Sequence, residues 1–134
     1  MTSKTVITFG TFDVFHVGHL RVIQRAAEFG DRLVVGVSAD ALNVSKKGRA
    51  PVFSEAERLE IVAALKPVDA VFIEESLELK RTYLTEHRAD VLVMGDDWAG
   101  RFDEFKDICE VHYLPRTPAI STTALIEKIS SGPV

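Results

Sequence analysis

Two histidines flank a glycine in the stretch Gly10-Thr11-Phe12-Asp13-Val14-Phe15-His16-Val17-Gly18-His19. An imidazole can donate a hydrogen bond to a phosphate oxygen. A glycine lets backbone come close to a ligand. The apolar run Val6-Ile7-Thr8-Phe9 before the stretch reads as a buried strand, and Leu20 to Phe29 after it reads as a helix. The histidines then stand at a helix mouth, where the N–H groups of Gly18 and its neighbours face an incoming anion. The chemistry that suits these types at this spacing is charge stabilisation on phosphate.

A second group lies at the other end of the chain. Arg116-Thr117 is followed by Ile120-Ser121-Thr122-Thr123, which opens a last helix. Ser121, Thr122 and Thr123 supply hydroxyl donors beside orphan backbone amides, and Arg116 can pair with phosphate oxygens in a fork. A third group, Lys46, Lys47 and Arg49, sits in Asn43 to Pro51. That stretch is polar, basic and without periodicity, and reads as a mobile loop that closes over substrates.

The elements that must position these groups alternate along the chain. Strands are expected at Val6–Phe9, Leu33–Val37, Ala70–Ile73, Val91–Met94 and Glu110–Leu114. The second is apolar throughout, as a parallel strand covered on both faces should be. Helices are expected at about Leu20–Glu28, stopped by Gly30, and from Ser54 to about Leu65, ended by Pro67. Ser54 to Glu57 reads as a capping box, with Leu59, Ile61, Val62 and Leu65 as the apolar members. Further helices are expected at Leu77–His87, Phe102–Ile108 and Ser121 to about Ser130, with a frayed tail from 131 to 134. Strands alternating with helices predict a doubly wound α/β fold with a five-stranded parallel sheet, order 3-2-1-4-5. Ligands then sit outside the carboxyl ends of the strands, at the switch between strands one and four.

With 134 residues the chain is expected to form one domain with a sizeable core. A net charge of -4 argues against a nucleic-acid binder, so an anionic substrate must meet a local cluster of basic residues. Cys109 is the one cysteine and cannot form an internal disulfide, which fits a reducing cytoplasm. No apolar run reaches the length of a membrane span. His16 and His19 have no third Cys or His nearby, since His87 and His112 lie in unrelated segments, so no protein-bound metal is expected.

The motif Gly-Thr-Phe-Asp-x-x-His-x-Gly-His at Gly10–His19 resembles the signature of the cytidylyltransferase-type nucleotidyltransferases. Arg116 to Thr123 resembles their second motif, and the likeness runs from Val6 to about Ile129. Within the family the chain is most similar to members that use CTP and sn-glycerol 3-phosphate to make CDP-glycerol and pyrophosphate. The resemblance implies catalytic roles for His16, His19, Lys46 and Arg116. It implies nucleotide contacts from Gly10, Thr11, Phe12, His16, Gly18 and His19. Arg49, Arg116, Thr117, Ile120, Ser121, Thr122 and Thr123 complete that set, with Lys47 as an alternative to Arg49. Lys46, Lys80 and Asp97 are implied on the acceptor side, with Asp13 and Arg58 in support.

The Ile-Ser-Thr-Thr form resembles the cytidylyl branch, because Ala124 and Leu125 stand where adenylyl-transferring relatives carry an arginine. Magnesium is expected to arrive with CTP, keeping waters and phosphates as ligands. A homodimer is implied, as are teichoic-acid-like or capsular polymers as the destination of CDP-glycerol. Another polyol phosphate, phosphoethanolamine or a flavin phosphate is the alternative acceptor; a regulatory nucleotide-binding module without turnover is the alternative class. Two departures from the family pattern stand out. Pro118-Ala119 replaces a pair ending in glycine, and alanine adopts positive φ less readily. Lys66-Pro67 stands where the family often has arginine.

Overall fold

The computed structural model describes residues 3–115 and 121–131. Five parallel strands form one sheet: β1 (Thr5–Gly10), β2 (Arg32–Ser38), β3 (Ala70–Glu74), β4 (Val91–Gly95) and β5 (Glu110–Leu114). Their order is β3-β2-β1-β4-β5, the doubly wound order predicted. β1 lies centrally, with Thr8 beside Val35 on one side and Val93 on the other.

Side chains alternate across the pleat, so each strand feeds two cores. Val6, Val35, Val37, Val91 and Val93 pack with Ile23 and Ala26 of helix α1 (Val17–Ala27) and Val62 of helix α3 (Glu55–Ala63). Ile7, Phe9, Val34, Leu92 and Met94 pack on the other face, against Leu84 of helix α4 (Lys80–Glu86) and Phe105. A sheet covered on both faces explains why its strands read as continuous apolar runs.

Five details differ from the sequence reading. Asn43–Pro51 is not wholly a loop: helix α2 (Asp40–Lys47) takes up its first half and ends at Gly48, whose φ of 75° is the left-handed cap that glycine tolerates. Glu57 does not reach back to the Ser54 amide; its carboxylate accepts from the Ser54 hydroxyl at 3.2 Å, while Ser54 Oγ accepts from the Glu57 N–H. Ile61 is exposed rather than part of the apolar face. The third and fourth predicted helices are wound partly or wholly as 3-10 turns, Leu77–Leu79 ahead of α4 and Asp103–Asp107. Ser131 closes helix α5 (Thr122–Ser131) instead of fraying; residues 132–134 of the predicted tail lie outside the described set.

Candidate active site

The turn after β1 is held in an uncommon conformation. Phe12 and Val14 have φ of 54° and 47°, sparsely populated for any residue with a Cβ and costly for a branched one. Two side chains impose it. Asp13, nearly buried, accepts hydrogen bonds from the N–H groups of Val14 (3.1 Å), Val52 (2.7 Å) and Phe53 (2.9 Å). Arg58 is wholly buried and donates to Thr11 O (2.9 Å), Phe53 O (3.0 Å) and Asp40 Oδ1 (2.7 Å). Asp40 N and Glu55 N each donate to the other residue's carboxylate, closing the frame between α2 and α3. At Gly10, an added Cβ would stand 2.8 Å from the Phe12 ring, so the turn can fold back on itself only without that side chain.

From this turn the two histidines enter α1. His16 is its N-cap: Nδ1 accepts from the Gly18 N–H at 3.0 Å, while His19 Nδ1 accepts from the His16 N–H at 3.2 Å. The two rings stack with centroids 3.8 Å apart, and Phe12 and Phe15 pack on His19. This corrects the sequence expectation for the Gly18 amide. It does not face an anion, because an imidazole at the N-cap has taken it. With Nδ1 an acceptor in both rings, the neutral tautomer carries its proton on Nε2. The helix mouth therefore presents two Nε2–H donors rather than bare amides. Burial pushes His19 down to about 4, assisted by the charge His16 can carry and opposed by Asp13. His16 is lowered as well, by burial. Both rings are accordingly neutral donors at neutral pH.

Two cavities open at the carboxyl ends of the strands, beside β1 and β4. One, of about 480 Å³, collects Gly10, Thr11, Phe12, Asp13, His19, Arg49, Asp97, Thr122 and Thr123 among its lining residues. The other, of about 450 Å³, collects Gly10, Thr11, Lys46, Lys80, Asp97 and Glu74. Lys47 and Trp98 line both, so Lys47 and Arg49 both reach the first cavity and only Lys47 the second. Trp98 borders both cavities and packs on Phe102. His16, Gly18, Ser121 and Arg58 line neither cavity; the His16 ring stacks on that of His19, which lines the first.

At the start of α5, Thr122 Oγ1 donates to Asp13 O at 2.9 Å, and Ser121 Oγ accepts from the Ala124 N–H at 3.0 Å. The first contact ties the helix to the β1 turn, and the second caps the helix itself. The Thr122 hydroxyl proton is thus directed at Asp13, not at a ligand. Arg116, Thr117, Pro118, Ala119 and Ile120 lie outside the described residues. Among the described residues no group of three His, Cys, Asp or Glu side chains could hold a metal ion, and no helix is long and apolar enough to cross a membrane. Both oxygens of Asp13 are already engaged by amides, so the carboxylate nearest the histidine turn is not offered to a cation.

Glu74 is the residue of this region that sequence reasoning missed. It closes β3, is 2% exposed, and its Oε2 stands 3.0 Å from Lys80 Nζ, itself 3% exposed. A buried lysine needs a buried anion nearby, but the burial of Lys80 shows only in the structure, so no sequence signal pointed to Glu74.

The sequence profile of the family described as cytidylyltransferase-like matches residues 7–128. The chain is 47% identical to glycerol-3-phosphate cytidylyltransferase of Bacillus subtilis strain 168, over 95% of this chain and 98% of that one. It is 40% identical to glycerol-3-phosphate cytidylyltransferase of Staphylococcus aureus, over 94% and 95%. The fold is similar to the crystal structure of a lipopolysaccharide core biosynthesis protein from Thermoplasma volcanium, with a TM-score of 0.73 at 22% identity, covering 87% of this chain and 99% of that one.

Proposed function

Since the chain belongs to the cytidylyltransferase-like family, we propose that it is a glycerol-3-phosphate cytidylyltransferase, converting CTP and sn-glycerol 3-phosphate to CDP-glycerol and pyrophosphate. The observation that carries this reading is the pair of adjoining cavities. They share Gly10, Thr11, Lys47 and Asp97; one holds His19, and the other Lys46 and Lys80. Two anionic substrates can meet at that shared wall. The activity of relatives similar along nearly the whole chain, glycerol-3-phosphate cytidylyltransferases, supports the choice of substrates.

An oxygen of the acceptor phosphate attacks the α-phosphorus of CTP. The new P–O bond forms as the bond to the α,β-bridging oxygen breaks, and the electron pair leaves on pyrophosphate. His16 and His19 donate through Nε2 to oxygens that gain charge; Lys46 and Arg116 add positive charge, and Lys46 and Lys80 hold the acceptor phosphate. Magnesium enters as part of the nucleotide substrate, bound by phosphates and water.

The decisive measurement is pyrophosphate release over a panel of nucleotides and phosphorylated acceptors. CTP with glycerol 3-phosphate should give the highest kcat/KM, well above ATP with the same acceptor. Equal use of ATP would remove the cytidylyl assignment, and preference for another phosphomonoester would change the acceptor.

The same reading makes the protein a cytoplasmic homodimer that supplies CDP-glycerol to teichoic-acid-like or capsular polymers. Light scattering at micromolar concentration should give twice the chain mass. A monomer would reject the dimer and direct attention to Lys66-Pro67.

A further inference from the structure

The second cavity contains an anion where an anion must bind. Glu74 reaches it from the end of β3, and a carboxylate there repels a phosphomonoester unless something else needs it more. Lys80 does. Its ammonium is enclosed by the Phe9 ring at 4.1 Å and the Phe102 ring at 4.7 Å, with Glu74 Oε2 at 3.0 Å. Aromatic faces attract a cation but replace only part of its hydration. A lysine so enclosed, without a counter-ion, loses its proton. The Lys80–Glu74 contact lies off the line of a directed hydrogen bond, and among the described residues nothing else donates to that oxygen. The carboxylate therefore acts chiefly through its charge.

Resting on the acceptor reading above, we propose that Glu74 is a positioning residue of the acceptor subsite: it holds Lys80 in place and charged, so that the incoming phosphomonoester meets an ammonium rather than a neutral amine. Lys46, from α2 on the opposite wall, is affected in the same sense. Burial lowers it, Glu74 raises it, and Lys47 and Lys80 lower it. Lys80 itself is lowered by burial and raised by Glu74. The remaining charged groups facing the cavity are Lys47 from α2, and Asp97 and Arg101 from the turns after β4. Three lysines and an arginine against two carboxylates leave the pocket net positive. Removing Glu74 increases that nominal charge, yet lets the Lys80 proton leave at lower pH.

The test is Glu74→Gln, which keeps the shape and removes the charge. The Lys80 titration, followed by 13C NMR at its Cε without substrate, should move down by about one to three pH units. The acceptor KM should begin to climb at correspondingly lower pH, while the CTP KM stays near that of the unmodified protein. Glu74→Asp should restore much of the titration midpoint. In a Lys80→Met background, Glu74→Gln should raise the acceptor KM by much less than it does in the unmodified protein, leaving only its effect on Lys46. An unmoved Lys80 titration in folded Glu74→Gln, equal changes in both KM values, or an undiminished loss in the Lys80→Met background would overturn the proposal. If the unmodified protein does not use glycerol 3-phosphate, the substrate reading fails, and the NMR titration still decides the part played by Glu74.

Discussion

Replacing His16 or His19 with alanine should lower kcat by roughly 100- to 1000-fold, the usual loss for one donor at developing negative charge. CTP binding should weaken much less. The reason is set in the backbone. Each Nδ1 is engaged by an amide, Gly18 N–H to His16 and His16 N–H to His19, so each neutral ring has a proton, not a lone pair, to offer at Nε2. A general base needs the lone pair. The acceptor needs no base, because the second pKa of a phosphate monoester is about 6 and at neutral pH it is already largely dianionic. His→Asn or His→Gln keeps a neutral donor and should recover part of the rate. Rescue of the alanine variants by imidazole, following the rescuer's basicity, would show the assignment wrong.

The pH profile gives the same test a second form. His19 is held down to about 4 and the unfolded value is about 6.5. Above about pH 4 the folded ring is neutral, so kcat should show no break near 6.5 from this residue. Folding responds in the opposite region. Between about pH 4 and 6.5 the unfolded chain binds the His19 proton and the folded chain does not, so stability rises with pH across that window and levels off above it. A kcat break near 6.5 that disappears in His19→Gln would contradict the neutral-donor arrangement.

The sheet order was legible because each strand carries its own apolar run and each run is followed by helix or turn signals; topology rules leave few other windings. Helix α2 was not, because only Leu42 and Asn43 of its residues are buried and Val44 is left exposed, so no apolar face marks it. Its start is fixed by tertiary contacts instead: Asp40 N donates to Glu55 Oε1, and Thr11 Oγ1 donates to Asn43 Oδ1. The histidine turn was legible as the link between a first strand and a first helix. The groups it exposes were not, since nothing in the spacing says that an imidazole will cap its own helix and take up an amide. Glu74 was hidden for a related reason: beside Glu75, at a strand end, an acid looks like surface until a buried lysine is found against it.

Arg58→Ala should cost about 3–5 kcal/mol of stability, the range for breaking a buried charge pair from one side, and lower Tm by on the order of 10–20 °C. Arg58 donates to three acceptors in three segments: Thr11 O in the β1 turn, Phe53 O before α3, and Asp40 at the head of α2. Removing it leaves two carbonyls and a carboxylate without their donor at once. Asp40 is 37% exposed at its side chain and can regain water, which moves the expectation toward the lower end of the range. Lysine in its place keeps one charge but not the fork, so Arg58→Lys should fall between the two proteins. The effect on catalysis should follow the fold. Thr11 O is the anchor of the turn whose positive-φ residues, Phe12 and Val14, aim His16 and His19. Releasing that anchor lets the turn relax toward ordinary φ and moves both donors together. The histidine variants should lose rate and keep their unfolding temperature, whereas Arg58→Ala should lose both. Full Tm with lost activity in Arg58→Ala would assign the arginine to the chemistry itself rather than to the frame that supports it.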